Sequence, residues 1–147
     1  PPARAVALLR VITSANIACG WHAGDAASMR HTLAHCAALG VQVGAHPSYP
    51  DRDGFGRRVV PLTPVEITDA VAHQVQALCA LADAEHTQVA HVKPHGALYN
   101  VACADATFAD AIVRGVTLVG CALAMYAPGV SALATSARTA GLRVVAE

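Results

Sequence analysis

The stretch His91-Val92-Lys93-Pro94-His95-Gly96-Ala97-Leu98-Tyr99-Asn100 carries the densest chemistry in the chain. Read as the end of a β-strand, it alternates its side chains with period two, so His91, Lys93 and His95 share one face. A strand buried on both sides is continuously apolar, whereas this one sets three nitrogen-bearing side chains in a row. Lys93 is the only lysine in the chain; positive charge elsewhere is carried by arginine. Burial readily shifts the pKa of lysine, which suits it to donate a proton or to steady a developing charge. Pro94 blocks helix propagation directly after it, and Gly96 permits a tight turn with close backbone approach.

Two other polar clusters obey the same logic. Asn16, His22 and Asp25 lie at and beyond the end of one predicted strand, and His46, Tyr49 and Asp51 beyond another, with Arg57-Arg58 nearby as a candidate anion clamp. In barrels and open α/β sheets the C-terminal edge of the strands is where ligands bind. His22, His46, Lys93 and His95 are therefore the candidate catalytic groups, and Asn16, Asp25, Tyr49, Asp51, Arg57 and Tyr99 the candidate substrate contacts. His22, His46 and His95 are also candidate ligands for a divalent metal, since imidazole serves as proton shuttle or metal ligand near neutral pH. Asp25 has an equally good structural role as a helix N-cap, and Asp51 and Asp53 as turn residues. His31, His35, His73 and His86 fall in or beside predicted helices and read as surface or half-buried residues. Gly54-Phe55-Gly56 is too short for a dinucleotide fingerprint, and no GxxxxGK[ST] loop is present, so ATP, if used, is not gripped by a P-loop.

The elements that must position these residues alternate between strand and helix. Residues 3 to 10 read as the tail of an alanine-rich helix, Val11 to Cys19 as a strand, and Asp25 as the cap of a helix running to Leu39 with Gly40 as its C-cap. Strand Val41 to Ala45 follows, then a long loop from His46 to Pro61. Thr63-Pro64-Val65-Glu66 is a capping box with proline at the first helical position, opening a helix to about Ala82. Gln88 to Lys93 is the third strand. A helix from Asp105 to Gly115, a strand from Thr117 to Ala124, a helix from Ser131 to Ala140 and a strand from Leu142 to Ala146 complete the pass.

Five strands alternating with helices specify an α/β fold with a parallel sheet. Ser14 and Asn16, then Gln42, Gly44 and His46, then His91, Lys93 and His95 form one polar strand face, while Ile17, Val43, Ala45 and Val92 form an apolar one. A sheet covered on both sides wants both faces apolar, so a β/α barrel with a polar lumen is expected, in a single domain over 1–147 with too few strands to close it.

Composition bounds the function. The chain is 54% hydrophobic and only 4% aromatic, so small side chains pack helix on sheet. Ten basic and ten acidic residues cancel, leaving no electrostatic footprint for nucleic acid or an anionic membrane. No apolar run spans a membrane, and five widely spaced cysteines without a CxxC pair fit reduced thiols in a cytoplasmic protein. The chain begins Pro1-Pro2 and stops at Glu147 straight after an apolar run, which suggests part of something longer.

SANIACGWHAGD (Ser14 to Asp25), VGAHPSYPDRDGFGRR (Val43 to Arg58) and HVKPHGALYN (His91 to Asn100) resemble, in order, the motifs of the LamB/YcsF family, the A subunits of 5-oxoprolinases. The resemblance runs from about Ala5 to Glu147, with Trp21 where phenylalanine is expected. It implies a seven-stranded barrel of the glycoside hydrolase/deacetylase type. In this chain that barrel would lack a preceding DLNCDLGE-like strand motif and a C-terminal portion opening on an FADR-like motif. The resemblance also implies ATP-dependent opening of 5-oxoproline (pyroglutamate) to L-glutamate, with ATP and Mg and with partner subunits B and C; a homo-oligomer is compatible with it. Carried over by motif, the site draws on Asn16, His22, Asp25, His46, Asp51, Lys93, His95 and Tyr99. Two other readings stand beside it: a metal-dependent hydrolase or deacetylase acting on a carbohydrate or amide, and a binding subunit that presents 5-oxoproline to a partner's catalytic centre.

Overall fold

The computed structural model describes residues 3–147; Pro1 and Pro2 lie outside the described residues. The elements in chain order are α1 (Ala3–Leu9), β1 (Ser14–Ala18), α2 (Ala26–Leu39), β2 (Gln42–His46), α3 (Pro64–Ala84), β3 (Val89–Val92), α4 (Gly96–Ala104), α5 (Ala106–Leu118), β4 (Ala124–Ala127), α6 (Ala132–Thr139) and β5 (Val144–Ala146). The five strands are parallel and lie side by side in chain order, β1 to β5.

That order decides the winding. Right-handed crossovers that always step in the same direction put every connecting helix on the same face of the sheet. The helices accordingly form one layer, α2 against α3, α3 against α5 and α5 against α6. A doubly wound sheet would reverse its strand order and cover both faces. Between sheet and helices lies the core: Ile17, Val43, Ala45, Val92 and Met125 from the strands meet Leu33, Val71, Leu78, Ile112 and Leu133 from the helices. The other strand face carries Ser14, Asn16, Gly44, His91 and Tyr126, which is the expected division into apolar and polar faces.

Local chemistry sets the boundaries. Asp25 caps α2 in a capping box with Ser28, and Gly40 ends that helix in the left-handed region at φ 67°. Thr63 and Glu66 form the second capping box at α3. The strand predicted at Thr117 to Ala124 is a correction: α5 runs on to Leu118 and the strand lies at Ala124–Ala127. The buried residues Ala109, Ile112, Val113 and Val116 keep a helical spacing, and the tertiary gain of that face outweighs the strand preference of β-branched Val116 and Thr117. The residues from Gly96, where a tight turn is expected after the strand, form α4, with His95 at its N-cap position. β1 begins at Ser14, later than the Val11 expected, and Val11 is exposed.

The long loop after β2 is pinned to α3 by a residue that no motif announces. The buried side chain of Gln74 accepts from the Ser48 N–H at 3.0 Å and donates to the Ser48 carbonyl at 2.9 Å. An amide that satisfies both backbone groups of one residue fixes that residue as a strand neighbour would.

Candidate functional site

Parallel pairing brings the C-terminal ends of β2 and β3 together, and short backbone bonds carry the alignment past the strands. Lys93 N–H donates to the Ala45 carbonyl at 3.0 Å, His95 N–H to Pro47 at 2.8 Å and Ala97 N–H to Gly56 at 2.9 Å. Three loops thereby converge. Their side chains are His22 from the loop after β1, His46 at the end of β2, Phe55 from the long loop and His95 before α4.

The three imidazoles form a compact cluster. His22 stacks on His95 at 4.2 Å between ring centroids and 12° between planes. His46 meets His95 edge-on at 4.8 Å, and Phe55 is edge-on to both His22 and His95. The hydrogen bonds fix the tautomers. His46 Nδ1 lies 2.5 Å from the Lys93 carbonyl and His95 Nε2 lies 2.8 Å from the Phe55 carbonyl. Carbonyl oxygens only accept, so both nitrogens carry hydrogen. The remaining nitrogens, His46 Nε2 and His95 Nδ1, face each other at 3.1 Å. Two bare lone pairs at that distance repel; the contact is attractive only with one proton or cation between them. This is the geometry of a proton relay.

Burial pushes the His46 pKa down to about 4; the hydrogen bond to the Lys93 carbonyl opposes the shift, while the charges of His95 and Lys93 add to it. His22, 2% exposed, is pushed down to about 4 as well, first by burial and then by His95, His46 and Arg52. Its Nδ1 is buried without a hydrogen-bond partner. A neutral imidazole with an uncommitted nitrogen is the form a general base takes.

Beside this cluster stands a second constellation. Lys93 Nζ lies 2.6 Å from Glu147 Oε2, and the Tyr99 hydroxyl donates to Glu147 Oε1 at 2.5 Å. Burial alone would raise the Glu147 pKa; the bonds from Lys93 and Tyr99 outweigh it and the net shift is downward. Burial, reinforced by the Glu147 carboxylate, raises the Tyr99 hydroxyl pKa. Sequence reasoning misses Glu147, although the rule that singles out the C-terminal strand edge applies equally to β5.

Asn16 and His91 meet on the polar strand face rather than in the cluster: His91 Nε2 is 2.8 Å from Asn16 Oδ1, and the His91 ring stacks on Tyr126 at 4.2 Å. The expectation that His91 shares a site with Lys93 and His95 fails because the strand ends at Val92 and period-two alternation stops with it. Gly44 sits opposite His91, where any Cβ would overlap the imidazole.

Three further candidates lie outside the cluster. Asp25 is exposed and occupied by Ser28 as the α2 cap. Tyr49 is 1% exposed within the hydrophobic core. Asp51 staples its own loop, accepting from the N–H groups of Gly54 and Arg58 and from the Arg58 guanidinium, whose hydrogen bond, the largest cause, lowers the Asp51 pKa to about 2. The anion-clamp pair thus divides: Arg58 is held by Asp51, while exposed Arg57 lies over the Phe55 ring, 5.6 Å from its centroid.

Among the described residues, no three His, Cys, Asp or Glu side chains are arranged to hold a metal ion. The geometry explains this: stacked rings keep their in-plane lone pairs in near-parallel planes, so His22 and His95 do not aim at one point, and one nitrogen each of His46 and His95 is committed to a carbonyl. The residues present do not fit a three-histidine metal centre. Among the same residues, no helix is long and apolar enough to cross a membrane.

A one-layered parallel α/β sheet with a histidine cluster at its C-terminal edge describes many enzymes. The family model of the LamB/YcsF family matches residues 3–147, and the chain belongs to that family. It is 54% identical over 140 residues to the 5-oxoprolinase A subunit of Chloroflexus aggregans, covering 95% of this chain and 56% of the relative. The corresponding 5-oxoprolinase subunit of Azoarcus sp. is 51% identical over 141 residues, covering 96% of this chain and 55% of the relative. The crystal structure of a lactam utilization protein from Thermus thermophilus superposes with a TM-score of 0.91 at 42% identity, over 94% of this chain and 56% of that one. The chain spans a little over half the length of these relatives.

Proposed function

We propose that this chain carries the lactam-opening site of a 5-oxoprolinase A subunit, converting 5-oxoproline to L-glutamate with ATP and Mg in concert with subunits B and C. The observation that carries the reading is the cluster of His22, His46 and His95, with its His46–His95 contact, beside Lys93 at one strand edge, in a chain 54% and 51% identical to two curated A subunits. The full fold is proposed to be a seven-stranded barrel of which these five strands form part of the wall.

An unstrained lactam resists water because its amide resonance must be broken. ATP would supply the phosphoryl group that activates the lactam oxygen, with ADP as the leaving group; once water has added to the ring carbon and the C–N bond has opened, hydrolysis would release that group as inorganic phosphate. The chain's own residues supply the remainder. Lys93 and His95 steady the negative charge carried by the activated oxygen's phosphoryl group, the role of a preorganised oxyanion site. Neutral His22 or His46 takes the proton of the attacking water, and the His46–His95 contact moves that proton toward the departing ring nitrogen. Arg57, whose guanidinium lies over the Phe55 ring, would meet the substrate carboxylate.

The test is glutamate formation from 5-oxoproline by the full-length protein, with and without ATP and the partner subunits. Glutamate formed only when all are present supports the reading. Hydrolysis without ATP would favour a deacetylase-type hydrolase, and turnover that survives replacement of every histidine in the cluster would favour a binding subunit.

A further inference from the structure

Lys93 stands on the segment after β3, Tyr99 on α4 and Glu147 just beyond β5. The Glu147 carboxylate gathers the other two, one oxygen on the Lys93 ammonium and the other on the Tyr99 hydroxyl. A long, flexible lysine side chain would otherwise explore many rotamers, and its four-carbon stem loses much entropy when fixed. Two partners on separate oxygens leave the carboxylate little freedom to swing away, so the ammonium is fixed in turn. The Lys93 Nζ also lies 5.8 Å from the Tyr99 ring centroid, within reach of a cation–π contribution. The Lys93 main chain is anchored independently through its carbonyl to His46 and its N–H to Ala45. Both ends of the residue are thus held, the main chain by β2 and its end, the side chain by the end of β5.

We propose that Glu147 is the positioning residue for Lys93: it holds the ammonium at the rim of the histidine cluster, with Tyr99 fixing the carboxylate in turn. The inference rests on the lactam-opening reading only for its kinetic consequence; the positioning itself is a statement about Lys93.

The experiment uses the full-length protein and the variants Glu147→Gln, Glu147→Asp and Tyr99→Phe. Lys93 reactivity is read by reductive methylation with formaldehyde and cyanoborohydride, quantified by mass spectrometry of the peptide containing Lys93. Released from its carboxylate, Lys93 in Glu147→Gln reacts about threefold faster or more, the scale of a partly exposed ion pair, while the melting temperature holds. Tyr99→Phe gives a smaller rise, and Glu147→Asp lies between Glu147→Gln and wild type. In the reconstituted complex Glu147→Gln lowers kcat about a hundredfold with little change in KM, as expected when a group acting on the transition state is misplaced. Glu147→Asp recovers part of that loss. Unchanged Lys93 methylation in Glu147→Gln overturns the proposal whatever the kinetics show. Faster methylation in a complex whose wild type forms no glutamate supports the positioning role and refutes instead the lactam-opening reading.

Discussion

Replacing Gly96 by alanine probes the contact that seats the long loop against the segment bearing Lys93 and His95. Gly96 adopts φ +59°, and a Cβ there would overlap the Gly56 carbonyl oxygen and lie 3.0 Å from the Gly56 carbonyl carbon. Three costs follow. Holding a non-glycine residue in the left-handed region costs about 1–2 kcal/mol. Backbone cannot rotate aside as a side chain can, so relieving the overlap costs about 1–3 kcal/mol. The Ala97 N–H bond to Gly56 is stretched or lost, about 1 kcal/mol more. The sum is about 3–6 kcal/mol, a fall in melting temperature of roughly 6–20 °C for a chain of this size. Gly40→Ala is the control: its φ is +67° but nothing lies within 4 Å of the added Cβ, so it carries the conformational cost alone. Thermal unfolding of both variants separates strain from overlap. Displacement of the loop also draws the Phe55 carbonyl away from His95, so surviving Gly96→Ala protein should lose turnover about a hundredfold. A Gly96→Ala melting temperature equal to that of Gly40→Ala, with normal turnover, would refute the reasoning.

The remaining predictions concern charge. His22 and His46 titrate near 4 in the folded protein against an ordinary value of 6.5, so the unfolded chain binds more protons between those values and stability falls as pH drops from about 6.5 towards 4. His22→Gln and His46→Gln should flatten the melting temperature profile over that window; unaltered profiles would count against the buried cluster. Asp51, held near 2 in the folded state, contributes stability that is present above its ordinary value of 3.8 and lost as pH falls towards 2. Asp51→Asn should therefore loosen residues 51–58, seen as faster amide exchange at Gly54 and Arg58, with a lower melting temperature at pH 7 and a smaller difference from wild type at about pH 2. Exchange rates unchanged at both amides would show that the carboxylate does not staple the loop.

The caps are the most legible features of the sequence. Asp25 with Ser28, Thr63 with Glu66 and Gly40 at φ 67° are local devices whose partners lie within a turn, so pattern alone locates them. Alternation on β1 and β2 likewise exposes the polar and apolar faces. Sequence and structure part where distant packing decides. The strand predicted over Thr117 to Ala124 is suggested by β-branched residues whose helical face is rewarded by distant packing, chiefly of α5 against α3. Gln74 and Ser48, 26 residues apart, cannot be paired from spacing, and the Phe55 carbonyl enters the site through backbone placement, which side-chain types do not encode. His91 separates from Lys93 and His95 because alternation holds only as far as the strand does.

The most direct measurement of the central claim is turnover of 5-oxoproline by the complex reconstituted with full-length Lys93→Ala, its fold checked by circular dichroism and melting temperature. The expected result is a folded protein with no detectable glutamate formation. Normal turnover would contradict the claim and remove the lysine, and the site built around it, from the chemistry.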